Sequence, residues 1–520
     1  MAASGRLDGW FDGYTADAMY TDLVNVDMCP AWLSMISVFN GEPPLDLDRP
    51  LVWLDLGCGT GLGTCTVAAG NPSVEVWGVD YNPAHVERGR DLAYRAGLTN
   101  CQFVEASFEE FAQDQRLGPD EVDVVVVNGV YSWVSPGNQR HIVETIRRRL
   151  RPGGLAYVMY ESATGWSSMT PLAEALRLYV DADGQRSDLA FHDAAAALLE
   201  LRHHGARYFP MGQRESQQMD QWPTSDGLYA AHEYLGANFA PTLVDEVFSA
   251  LAGAKCSFVG GIGALDHDSY YSTPPELADL FDGASDPVTT NLALDLALER
   301  QIRRDLFRRG RSLSTPLDHR ARLQGLEFGG LGRPFDEKPF DLAAMQVTLD
   351  PDFHVPLVDA LTSSDLDIDG VLAIHSSWSF GDAATAFALL VAGGYAAPLA
   401  PNRFRDDALG PCQRLNDVLL AEQRRGRYVG GRLSPSTGAM IAIDEVELLA
   451  LDALQSGEPD DASLLVEQVA STLEGHGRVV SDHGELIVEA DAARAVIRYR
   501  VTASCREIRP SLVWASTNAV

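Results

Sequence analysis

The run LVWLDLGCGTGLGT, Leu51 to Thr64, limits what this chain can fold into more than any other stretch. Its apolar half has the length and branched character of a buried strand. Gly57, Gly59, Gly61 and Gly63 then break the pattern, and a helix is expected from near Thr64. Strand, glycine turn and helix in this order build a ligand cradle, because glycines let the backbone approach a ligand and a helix start offers amides. Spacing excludes two common ligands. Leu62 stands where a dinucleotide fingerprint places its third glycine, and no lysine follows the glycines as a phosphate loop requires. The loop's candidate contact residues are Asp55, Gly57, Cys58, Gly59 and Gly61.

Helix and strand signals alternate beyond the loop. A second strand, Val74 to Val79, ends at Asp80, 19 residues past Gly61, with Tyr81 next to it. A carboxylate at that strand tip can accept both hydroxyls of a ribose; the alternative is that Asp80 caps the helix beginning at Pro83. A third strand, Cys101 to Val104, leads to Ser107 and Phe108. The fourth, Val122 to Val127, is all valine apart from Asp123, as a central parallel strand buried on both faces should be. It delivers Asn128, Gly129, Val130, Tyr131, Ser132 and Trp133 to the carboxyl edge of the sheet, where open α/β folds bind ligands. A helix over 139–150, the turn Arg151 to Gly154 and a fifth strand, Leu155 to Tyr160, follow.

An acidic residue two before GCGTG resembles motif I of the class I S-adenosylmethionine (SAM) methyltransferases, and LRPGG before a fifth strand is another habit of that group. The segments GYTADAMYTD, PAWL, NGVYSWVSP, RRRLRPGGLAYVMY, Gly165 with Trp166, and AAHEYL look like the bacterial class I methyltransferases that carry a methyltransferase regulatory domain. Rickettsial-type outer-membrane-protein lysine methyltransferases belong to the same broad group. The resemblance implies SAM as cofactor and a protein or small-molecule methyl acceptor. It also implies that the adenine edge is read at Ser107 and Phe108; serine replaces the usual acid, which leaves the Phe108 amide. Asn128 stands where family members often show histidine. Asn128 and Tyr131 keep the frame of the Asn-Pro-Pro-Tyr signature of amino-group methylases without its prolines. Tyr131 and Trp133, with Tyr14 or Tyr20 from a lid, are expected to position the acceptor amine.

The expected architecture is α/β: a Rossmann-like class I methyltransferase sheet with a helical insertion and C-terminal winged-helix-like domains. Residues 1–161 form the SAM-binding core, in which an amphipathic helix from Pro30 lids the cofactor side. Residues 162–310 hold a helical regulatory insertion. Either Cys256 to Val259 and Ile302 to Phe307 complete the sheet as its last strands, or 162–310 is a separate domain. After a linker at Gly325 to Pro339, residues 311–410 form a first winged-helix-like domain and 411–520 a second α+β domain.

Composition narrows the partners. With 40 basic and 73 acidic residues the net charge is −33, which repels nucleic-acid backbones and tolerates a basic, lysine-bearing protein. The winged-helix-like segments carry no basic stripe, so a protein-contact role is expected of them. The seven cysteines form no C-x-x-C pair and read as reduced thiols of a cytoplasmic protein. His232 and Glu233 open an HE dipeptide, yet Gly236 occupies the place of a second zinc histidine. No metal site, signal peptide or membrane insertion is expected, and a homodimer is compatible with the composition. Three functions fit: a SAM-dependent methyltransferase acting on protein lysine, one acting on a small molecule, glycan or lipid precursor, and a SAM-binding regulator without turnover.

Overall fold

The computed structural model describes Gly13 and residues 26–504, apart from 184, 210–211, 282–285, 312–313, 428, 456–461, 477, 479, 483–484 and 488. Seven strands form one sheet: β1 Leu51–Leu56, β2 Val74–Asp80, β3 Cys101–Glu105, β4 Val122–Val127, β5 Leu150–Glu161, β6 Cys256–Gly261 and β7 Ile302–Arg309. Their order is 3-2-1-4-5-7-6, and β7 runs antiparallel to both its neighbours. The first five strands are parallel and wind in opposite directions on either side of β1 and β4. The crevice outside their carboxyl ends is therefore the switch point at which such sheets bind ligands.

Helices α1 Pro30–Phe39, α2 Leu62–Gly70, α3 Pro83–Arg95, α4 Phe108–Gln113 and α5 Pro136–Arg149 belong to this half. Every residue of β4 is buried, including Asp123. The carboxylate is tolerated because it accepts the Val52 N–H at 2.8 Å and pairs with Arg49 and Arg151. Asn82, and not Asp80, caps α3: its side chain accepts the Ala84 N–H at 3.0 Å, with Pro83 at the first helical position. α1 is not a lid. Nearly all of it is buried, with Leu33, Met35 and Ile36 in one core with Trp53 and Leu306. Its apolar residues cover the whole helix surface instead of one face, and that suits burial rather than a hinge.

Residues 256–261 and 302–309 complete the sheet, which decides between the two alternatives for 162–310. Between β5 and β6 lie α6 Ala163–Trp166, α7 Thr170–Asp183, α8 Ser187–His203, α9 Gln213–Gln221, α10 Gly227–Tyr234 and α11 Val244–Gly253. Much of this layer closes over a core of its own around Trp166, Phe191, Trp222 and Tyr234.

The Gly325 to Pro339 stretch is less free than a linker. Within it Phe328–Gly330 pairs with Ala396–Pro398, and Phe328 stacks on Phe387 at 4.1 Å. Helices Pro351–Leu361, Ile368–Ile374 and Phe380–Ala392 surround that pair. The proposed division at 410/411 falls inside one continuous helix, Asn402–Gln423. Its buried Ala408, Cys412, Leu415 and Leu419 pack against Cys65, Ala69, Val86 and Leu92 of α2 and α3, so cutting the helix there would split a single packed face. Helices Glu445–Gln455, Ala462–Gly475 and Ala490–Ser504 form the last unit around a small core.

Candidate active site

The glycine loop is held from below. The Gly57 and Cys58 amides both donate to the Val79 carbonyl, at 2.8 and 3.0 Å, and the Gly59 amide donates to Asp80 Oδ2 at 2.9 Å. The first loop amides are thus used internally, and the cradle works through close backbone approach. Gly57, Gly59 and Gly61 all have positive φ. At Gly57 a Cβ would lie 2.5 Å from Val130, so glycine is required on steric grounds as well.

A cavity of about 280 Å³ opens above the loop at the carboxyl ends of β1 to β5. Asp55, Gly57, Cys58, Gly59, Asp80, Tyr81, Ser107, Phe108, Asn128 and Trp133 all line it. Gly61 and Tyr131 do not. Gly61 caps α2, where a Cβ would meet Phe103 at 2.6 Å and the Gly89 Cα at 2.7 Å; it is a packing glycine between α2, α3 and β3. Tyr131 lies in the core beneath the sheet edge, and burial pushes its hydroxyl pKa up, helped by the Glu246 charge. The turn at Gly129, with φ of +64°, directs Trp133 to the cavity and Tyr131 away from it. Tyr14 and Tyr20 lie outside the described residues.

Electrostatics divide the cavity into two ends. At the loop end, Asp55 is buried and accepts the Thr64 hydroxyl at 2.8 Å; desolvation, with the Asp80 charge adding, raises its pKa to about 7. Asp80 Oδ1 accepts the Asn82 N–H at 2.9 Å, and each Asp80 oxygen keeps a lone pair for a further donor. Cys58 is an inert thiol, its pKa lifted well above the usual value by burial and then by the Asp80 charge. Ser107 forms a capping box with Glu110, so its hydroxyl is committed to α4 and its successor Phe108 stands at the first helical position.

At the other end stand groups that sequence reasoning missed. Glu161 closes β5, is 1 % exposed, and accepts the Trp166 indole N–H at 2.6 Å. Burial raises its pKa to about 8, with the neighbouring Glu233 charge contributing. Glu233 of α10 is raised by burial to about 7, offset in part by a hydrogen bond from the Tyr229 hydroxyl. Asp226 caps α10 by accepting the Leu228 amide at 2.8 Å, and the helix carries Tyr229, His232 and Glu233 into the cavity wall. Trp133 leans on Phe239 with centroids 5.5 Å apart, and Phe239 meets Trp166 edge-on at 4.8 Å. AAHEYL is the available signal: it carries the family resemblance, but without zinc spacing its HE pair points to no role for Glu233.

The methyltransferase-domain family matches residues 47–185, the span that holds the whole cradle. The chain carries a methyltransferase domain of the class I fold, whose cofactor is SAM. The family described as a predicted methyltransferase regulatory domain matches residues 226–309, from the cap of α10 to the end of β7. This methyltransferase is 26 % identical to the Synechocystis protein sll1526 over 471 residues, 89 % of this chain and 91 % of that one. It is 27 % identical to RP028 of Rickettsia prowazekii over 40 % of this chain and 81 % of that one. Its fold is that of PKMT2 from Rickettsia typhi, solved in complex with AdoHcy. That likeness has a TM-score of 0.64 at 17 % identity and covers 96 % of this chain and all of that one.

The residues present fit SAM. In this methyltransferase Asp80 would take the ribose hydroxyls, the Phe108 amide the adenine edge, and the Gly57 to Gly59 backbone, with Asn128 beside it, the amino-acid end. When bound, SAM supplies an electrophilic methyl group on a sulfonium. The chain's own part is to exclude water and to hold an acceptor in line with that methyl.

Proposed function

We propose that this methyltransferase acts on the ε-amino group of lysine in protein substrates. The observation that carries the reading is the second end of the cavity, which finishes in two carboxylates flanked by aromatic rings. Such a wall suits an alkylammonium, drawn by charge and by the faces of Trp133 and Tyr229. Likeness to PKMT2 along almost the whole chain supports the same reading, and a net charge of −33 favours basic protein partners. The C-terminal units are taken as winged-helix-like modules that contact the protein substrate, and nucleic acid as excluded by charge. Among the described residues no helix is long and apolar enough to cross a membrane. The six described cysteines are free thiols, which suits a cytoplasmic location. A homodimer remains part of the proposal.

Methylation of a small molecule is the second reading, favoured by the modest and partly roofed cavity. Methyl-labelled SAM incubated with lysine-bearing basic proteins, free diamines, glycans and lipid precursors separates the two. Label recovered as methyl-lysine is expected. Label confined to a low-molecular-weight acceptor would replace the lysine reading with the second one.

A further inference from the structure

We propose that Glu161 and Glu233 form the acceptor site itself: a carboxylate pair that binds a primary alkylammonium and takes its proton. The inference rests on the lysine reading and makes it specific to two side chains.

The geometry is unusual for a structural pair. Glu161 sits at the carboxyl end of a central strand, almost wholly buried, and lines the same cavity as the SAM cradle. Among the described residues its only side-chain hydrogen bond is from Trp166, to Oε2, and none of them donates to Oε1. Glu233 reaches the same cavity from α10, so a strand of the sheet and a helix of the insertion bring two carboxyl groups to one partly roofed space. Titratable groups on α10 beside the pair are Tyr229, His232 and Tyr234, and Asp55, Cys58, Asp80 and Tyr81 line the same cavity from the cradle; among the described residues no arginine or lysine lines it. Two carboxylates confined together favour a proton or a cation between them. A cation of the right size is what a lysine side chain would bring.

The proton balance follows. An ammonium R–NH3+ gives one proton to an ionised member of the pair and becomes R–NH2, whose lone pair is then free. When the amine nitrogen bonds to the methyl carbon, the carbon–sulfur bond breaks with its electrons left on sulfur, and the product R–NH2+–CH3 carries the positive charge. The proton held by the pair leaves to solvent. Trp166 is a positioning residue, fixing one Glu161 oxygen and leaving the other for the ammonium.

The test uses the full chain saturated with S-adenosylhomocysteine and titrated with n-butylamine and with n-butanol, its neutral isostere. Wild type is expected to prefer the amine by about ten-fold or more. Glu161→Gln and Glu233→Gln, each with unchanged S-adenosylhomocysteine affinity as proof of folding, are expected to lose that preference. Trp166→Phe is expected to reduce it without abolishing it. Equal preference in wild type and both glutamine variants overturns the proposal, whatever the protein methylates. Amine preference lost in the variants, alongside label found only on a non-amine acceptor, would retain the site and remove the lysine reading.

Discussion

Glu161 sets the stability of the cavity as well as its chemistry. Its folded pKa is raised from 4.5 to about 8, so the folded state holds a proton that the unfolded chain releases. Its contribution is full below pH 4.5 and is lost as pH rises toward 8. Glu161→Gln, which cannot ionise, is therefore expected to match wild type near pH 4.5. Above that it should become progressively more stable, by roughly 1–3 kcal/mol at pH 8, as read by thermal unfolding across pH. The same substitution should weaken amine binding, so stability and function move in opposite directions. Tyr131→Phe is expected to leave turnover within about two-fold, because the hydroxyl lies in the core and not in the cavity. At this scale the sequence marked Asp55, Asp80 and the glycines through fixed spacing. It could not say which way Tyr131 or Trp133 points after Gly129, since one left-handed residue decides that. Glu161 escaped notice because it follows an apolar strand by one position and resembles an ordinary strand end.

Between elements, the glycines separate two roles. Gly57→Ala forces a Cβ into Val130 at 2.5 Å with φ at +78°, in the wall of the cavity. Loss of SAM affinity together with about 1–3 kcal/mol of stability is expected, measured by calorimetry and chemical unfolding. Gly61→Ala crowds Phe103 and Gly89 away from the cavity. It should cost comparable stability while the molecules that remain folded bind SAM as before. The first five strands were legible because each carries a mostly apolar stretch that ends in a polar or glycine-containing turn. β7 was faint for a physical reason: IRRDLFRR reads as a polar segment. Inside the sheet Arg303 is clamped by Asp295 and Asp305 and Arg308 donates to the Gly153 carbonyl at 2.6 Å, while the exposed Arg304 reaches the buried Asp27. Buried pairing hides the charges that made the strand look exposed.

On the scale of the whole molecule, the C-terminal half is fastened to the cofactor half by more than a tether. Glu422 bonds to both Arg88 and Arg95 of α3, and Gly70 approaches Gly438 so closely that a Cβ would lie 2.4 Å from its carbonyl oxygen. Burial would raise the Glu422 pKa, but the two guanidiniums hold it below its ordinary value. Its stabilisation is present above the unfolded carboxylate pKa and is lost as pH falls through the lower folded value. Glu422→Gln is expected to cost roughly 1–3 kcal/mol and to speed proteolysis near the helix Asn402–Gln423 at neutral pH, with the difference from wild type shrinking in acid. The sequence placed a boundary inside that helix because its polar face, facing solvent, masks an apolar stripe that only the partner helices explain.

Site and surface charge together make methylation of a basic protein the central claim. Its most direct measurement is peptide mapping by mass spectrometry of a lysine-bearing basic protein after incubation with methyl-labelled SAM, with Asp80→Ala and Glu233→Gln run in parallel. Label on lysine Nζ that disappears in both variants is the expected result. Label on another atom, or label on lysine that persists in Asp80→Ala, would contradict the account.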